Sequence, residues 1–186
     1  EEKGYKGNRI AVGHDSRISA ERIKKQVIRG LAQFEKEIYD CSYASTPAMF
    51  MTTVDAGCVA SVQITASHHP FDRNGLKFFT KDGGLNGEDI ERITVLACEE
   101  YIRNCSSPKV ETIDYMSIYA KGLRKMICDE LGAKESDKPL SGYKIVVDAG
   151  NGVGAFYANE VLNELGANTD GSRFLEPDGT FPNHIP

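Results

Sequence analysis

The sequence predicts an α/β protein: a layered, mixed sheet flanked by helices, followed by an incomplete second α/β domain. Three observations predict it. Short β-prone runs alternate with helical patterns from Arg9 onward. A polar stretch rich in Lys, Glu, Ser and Asp interrupts the alternation near residue 133, after which strand and helix patterns restart. With 186 residues, 40% hydrophobic and 26% charged, the chain has ordinary globular composition and enough length for one domain and the opening of another.

Residues 9–13 read as a strand ending in the polar turn His14-Asp15-Ser16-Arg17. Ser19 is placed to cap the helix that follows, since Ile23, Val27, Leu31 and Phe34 recur at helical spacing. A second strand is expected over 37–41, and Thr46 with Pro47 reads as cap and first turn of a helix reaching Ala56. Residues 58–65 are apolar and β-prone enough for a central strand buried on both faces, which feeds the loop 66–75. Residues 76–80 read as the returning strand, with 81–84 as its turn. Helices are expected over 87–103 and 113–131. The polar segment 133–142 is read as a linker between a domain of residues 1–132 and the beginning of another at 143–186. There a strand over 143–149, a Gly-rich turn and a helix over 155–165 are expected.

Composition narrows function. With 22 Lys plus Arg against 27 Asp plus Glu, the net charge of −5 lacks the basic footprint of a nucleic-acid binder. No run approaches the ~18 apolar residues of a membrane span. Five scattered cysteines, Cys41, Cys58, Cys98, Cys105 and Cys128, form no Cys-x-x-Cys pair and read as free thiols of a reducing, cytoplasmic compartment. The chain begins at Glu1 without an initiator Met or signal segment, so a piece of a longer polypeptide is expected.

The loop 65–75, Thr-Ala-Ser-His-His-Pro-Phe-Asp-Arg-Asn-Gly, carries the most chemistry. Ser67 offers a hydroxyl, His68 and His69 adjoin it, Lys77 follows closely, and Arg17 could converge from the other strand-end loop. Cations around a serine suit a phosphorylated hydroxyl better than an acyl-transfer one. A zinc site of His68, His69 and Asp72 is disfavoured because adjacent histidines splay apart. The strand-to-helix Gly-x-Ser-x-Gly hydrolase elbow is absent, and Ala66 and His68 occupy the places neighbouring Ser67. The bland alternatives stay open: a local Ser67 turn, an exposed Asp15–Arg17 pair, and a solvated basic face of Arg22, Lys24, Lys25 and Arg29. Gly150, Gly152 and Ala155, with Asp170 downstream, loosely match a dinucleotide fingerprint, so a nucleotide-binding module using residues 150–155 is the alternative function. A tight turn needing positive φ explains the same glycines.

Five ordered segments resemble the α-D-phosphohexomutases, particularly the phosphomannomutase/phosphoglucomutase branch. They are Gly13-His14-Asp15-Ser16-Arg17-Ile18-Ser19, Ser45-Thr46-Pro47-Ala48, Thr65 to Pro70 with Asn74-Gly75-Leu76-Lys77, Val147 to Gly152, and Glu176 to His184. The resemblance implies a first domain of that family's type and a phosphoserine at Ser67 that passes its phosphoryl group to a hexose phosphate. A hexose bisphosphate would form, turn over, and return its other phosphoryl group, interconverting 1- and 6-phosphates of mannose or glucose. It implies that His68 supports the loop or the phosphate, and that Lys77 serves in proton transfer or sugar contact. Arg17 would steady the loop or neighbour the phosphate. Mg²⁺ would bind Ser67 through its phosphate, with the other metal ligands expected outside this chain, along with the family's first strand and its sugar-selecting loops. His69 departs from the asparagine common at that position.

Overall fold

The structure is a computed structural model, and it describes residues 4–99, 107 and 109–185. Six strands form one mixed sheet: β1 (Arg9–His14), β2 (Glu37–Tyr43), β3 (Ala60–Ile64), β4 (Leu76–Thr80), β5 (Gly83–Gly84) and β6 (Lys109–Thr112). Their spatial order is β5-β4-β3-β1-β2-β6, with β1 parallel to both β2 and β3, β6 parallel to β2, and β4 and β5 antiparallel. The helices are α1 (Ala20–Ala32), α2 (Thr46–Asp55), α3 (Gly87–Ala97) and α4 (Tyr115–Leu131).

The central strands are buried because successive side chains of β1 enter opposite layers. Ala11 joins Cys41, Ala44, Ala48, Met49, Cys58 and Tyr115 beneath α2 and α4. Val12 joins Ala20, Ile38 and Ile64 beneath the Ile23–Val27–Leu31 stripe of α1. A third cluster of Ala120, Cys128, Phe156, Val161 and Leu165 packs the C-terminal segment on α4. The neighbouring parallel strands β1, β2 and β3 therefore end at the same edge, where their loops meet.

Several expectations are corrected. Ser45, one residue before the expected cap, accepts from Ala48 N at 3.3 Å and caps α2, while Thr46 is already helical. Ser19 stands before α1 but makes no cap bond; its hydroxyl donates to Asn74 Oδ1 at 2.5 Å. Asp114 caps α4 through Ser117 N, so the helix starts at Tyr115 and not at Ile113. Gly83 and Gly84 pair with Thr80 and Phe79 as a short strand within the expected turn. Helix α3 stops at Ala97, and its expected extension from residue 100 to Arg103 lies outside the described residues. Strand β6 was not foreseen, because all four of its residues are exposed and lack apolar alternation. The expected strand over 143–149 makes only two isolated bridges, Lys144 with Asn168 and Asp148 with Arg173. The helix expected over 155–165 is largely a π-helical stretch, Tyr157–Leu162.

Candidate functional site

Strand β3 delivers Thr65 into a loop whose base is closed where Thr65 N donates to the carbonyl of Gly75, 3.0 Å away. A side chain at position 75 would place its Cβ 2.8 Å from the Thr65 carbonyl oxygen, so the loop neck requires glycine. Thr65 Oγ1 donates to Asp15 Oδ2 at 2.6 Å and accepts from Ser67 N at 3.0 Å. Ser67 consequently turns into the left-handed region, φ 55°, a conformation that non-glycine residues hold only when their surroundings impose it.

Arg17 imposes it. Its Nη2 donates to the carbonyls of Ser67 and His69, each at 2.8 Å, and its Nη1 to those of Pro70 (2.5 Å) and Arg73 (3.1 Å). Its Nε donates to Asp15 Oδ2 at 3.1 Å. All five N–H groups of the guanidinium are thereby engaged. The side chain is only 3% exposed, so the Asp15–Arg17 pair is the buried pin of the loop rather than the weak surface pair of the sequence reading.

Over this pin the loop opens into a groove of about 680 Å³ lined by Ser67, His69, Arg73, Asn74 and Lys77, among others. Ser67 is exposed and Lys77 half-buried, and both residues line this one space. His68 does not line it; its ring stacks on that of His69, centroids 5.0 Å apart. Arg73 enters the groove without having been singled out from sequence, and its signal was its place two residues before Gly75. The groove lining carries two cations and no carboxylate, in a chain of net charge −5.

Beneath α1, Lys24 is buried and its Nζ donates to Glu21 Oε1 at 2.8 Å and Asp40 Oδ1 at 3.1 Å. It is thus not part of the solvated basic face expected for it, whereas Arg22, Lys25 and Arg29 are exposed. Burial opposes its charge, but the hydrogen bonds it donates to Glu21 and Asp40 outweigh that and hold its pKa above the ordinary lysine value. Lys24 in turn holds the Glu21 carboxyl low. Glu21, itself exposed, also meets Nε2 of the buried His14, whose Nδ1 lies 2.7 Å from the Asp15 carbonyl, so this chain of contacts ends beside the Asp15–Arg17 pair that pins the serine loop.

The Gly-rich turn of residues 150–152 has no amide left for a phosphate. Gly150 N donates to Asp148 Oδ1, Asn151 N to the Phe174 carbonyl, and Gly152 N to the Ala149 carbonyl, at 2.8–2.9 Å. Gly150 has φ 54°, and a Cβ there would lie 2.7 Å from the His184 ring, which covers it. Positive φ with close packing accounts for Gly150, a Cβ on Gly152 would lie 3.3 Å from the Ala149 carbonyl oxygen, and nothing supports the nucleotide-binding alternative.

Residues 1–100 match the family model of phosphoglucomutase/phosphomannomutase, alpha/beta/alpha domain I. The chain belongs to this family. It is 31% identical over 179 residues to a phosphoglucomutase of Neisseria gonorrhoeae, covering 96% of this chain and 36% of that relative. It is 33% identical over 178 residues to a phosphoglucosamine mutase of Staphylococcus aureus, covering 95% and 39%. The chain therefore spans under two-fifths of the curated relatives it matches. Among solved structures, a phosphoglucomutase/phosphomannomutase family protein from Burkholderia thailandensis superposes with TM-score 0.75 at 25% identity, over 99% of this chain and 39% of that one. The open form of parafusin, a phosphoglucomutase from Paramecium, shares the fold at 18% identity and TM-score 0.72, over 100% of this chain and 39% of that one.

Membership in the phosphoglucomutase/phosphomannomutase family makes Mg²⁺ the cofactor to test against these residues. Mg²⁺ demands about six oxygens in near-octahedral array. Among the described residues no group of three or more His, Cys, Asp or Glu side chains is placed to hold a metal ion. The described side chains do not by themselves fit the cation. No described helix is long and apolar enough to cross a membrane.

Proposed function

We propose that Ser67 carries the transferable phosphoryl group of a phosphohexomutase, with a hexose phosphate as substrate. In that reading phosphoserine passes its phosphoryl group to the free hydroxyl of a mannose or glucose phosphate, giving a hexose bisphosphate and a serine hydroxyl. The bisphosphate reorients, its other phosphoryl group returns to Ser67, and the isomeric monophosphate leaves. The observation that carries the reading is the pose of Ser67: exposed, at φ 55°, facing a groove that holds Arg73 and Lys77 and no carboxylate. Two cations beside a phosphoryl group offset its charge where water is partly excluded. In the same reading Lys77 contacts the sugar or moves its proton, His68 supports the loop or the phosphate, and Arg17 holds the loop.

The division into a phosphoserine-bearing domain (1–132), a connector (133–142) and the opening of a second domain (143–186) belongs to the same reading. So does a cytoplasmic location, in keeping with the unpaired thiols of Cys41, Cys58, Cys98 and Cys128; Cys105 lies outside the described residues. Mass spectrometry of the protein as isolated should find a phosphoryl group on the peptide bearing Ser67. In the intact protein, Ser67→Ala should lower mutase turnover by several orders of magnitude without unfolding it, since an exposed loop residue contributes little stability. Near-normal turnover of that variant would overturn the assignment.

A further inference from the structure

The five N–H groups of Arg17 lie in the guanidinium plane and are spent on the serine loop and Asp15, which leaves its faces for packing. The Phe181 ring centroid lies 5.4 Å from Arg17 Cζ, within cation–π range. Gly179 meets Arg17 in a parallel backbone bridge, and a Cβ on Gly179 would come within 2.3 Å of the Ser16 carbonyl oxygen and 2.5 Å of Ile18 N. This approach is possible only for glycine.

Asn151 holds that segment in place. It sits at φ 61°, only 7% exposed. Its carbonyl accepts from Ser16 Oγ (2.9 Å) and Asp178 N (2.8 Å), its Nδ2 donates to the Glu176 carbonyl (2.9 Å), and its Oδ1 accepts from Asn183 Nδ2 (2.7 Å). One residue thus ties the Ser16–Arg17 turn to both ends of the segment 176–183.

We propose that Phe181 and Asn151 are positioning residues for Ser67, acting through Arg17. The proposal rests on Ser67 being the phosphoryl carrier. The backbone of residues 16–18 is held between the serine loop on one side and its separate contacts with Asn151 and Gly179 on the other. Hydrogen bonds from Arg17 to four loop carbonyls weaken steeply with distance and angle, so displacing the guanidinium releases the loop that fixes Ser67. Asn151 and Phe181, 84 and 114 residues along the chain from Ser67, would thereby set the attack geometry of that serine through Arg17.

The test uses Phe181→Ala, Phe181→Tyr and Gly179→Ala in the intact protein, with Ser67→Ala alongside. Phe181→Ala should speed amide hydrogen exchange of the loop 67–73 roughly tenfold or more and lower kcat roughly ten- to hundredfold, with KM changed by less than about twofold. Phe181→Tyr, which keeps an aromatic face, should retain native exchange and kcat. Gly179→Ala should show the same loop signature as Phe181→Ala; should it fail to fold, the Phe181 pair decides. Unchanged loop exchange in Phe181→Ala overturns the proposal, as does a rise in KM at constant kcat, which would mark Phe181 as a substrate contact. If Ser67→Ala keeps its turnover, the carrier reading falls, and Phe181→Ala then still reports on the clamp through exchange alone.

Discussion

The guanidinium of Arg17 donates from Nη2 to the main-chain carbonyl of Ser67, 2.8 Å away and fifty residues along the chain. Four loop carbonyls and one carboxylate share that single side chain, so its geometry and not just its charge supports the loop. Arg17→Lys keeps the charge but offers a compact ammonium with three donors and no fork. The substitution should leave at least two of those five acceptors without their donor and cost on the order of 2–4 kcal/mol, read from the midpoint of urea unfolding. A loss below about 0.5 kcal/mol would show that the loop is held by other contacts.

His184 and Asp148 give the second expectation. The carbonyl of Ile185, and then the Asp148 carboxylate, hold the His184 pKa above its ordinary value of 6.5. His184, followed by the amide of Gly150, holds the Asp148 carboxyl below its ordinary 3.8. The histidine contribution is fully present below 6.5 and is lost as pH rises through its raised folded value; the aspartate contribution is present above 3.8 and is lost as pH falls through its lowered one. Between those limits the ring should stay over Gly150. An NMR titration should show His184 titrating above 6.5, and Asp148→Asn should lower that midpoint. An unmoved midpoint would exclude the pairing as a cause.

Magnesium and activity give the third. Without a cluster of carboxylates among the described residues, these 186 residues should bind Mg²⁺ no more tightly than roughly millimolar. With positioning and charge compensation incomplete, they should give no detectable interconversion of mannose or glucose 1-phosphate and 6-phosphate, even with Mg²⁺ and a hexose bisphosphate supplied. A micromolar site in a calorimetric titration, or turnover above background in a coupled assay, would show that the missing chemistry lies within this chain.

Local periodicity was legible wherever an element buries one stripe or one run. The Ile23–Val27–Leu31 spacing gave α1, and the apolar run before Thr65 gave β3 to within two residues of its start. Strand β6 was not legible, because Lys109, Val110, Glu111 and Thr112 are all exposed and become a strand only by pairing with β2. The expected strand over 143–149 had the right composition, but its partners at Asn168 and Arg173 supply two isolated bridges and no ladder.

The sequence by itself determined the alternating α/β plan, the serine loop at the end of a buried strand, and the family to which its ordered motifs point. Only the tertiary structure decided that Arg17 lies under the loop with every donor spent, that His69 rather than His68 lines the groove, and that Arg73 joins Lys77 there. The reason is physical. Hydrophobic period and turn chemistry are written in side chains near one another in sequence, whereas four of the five acceptors of Arg17 are main-chain carbonyls. Every residue carries such a carbonyl, so no residue type announces where they will converge.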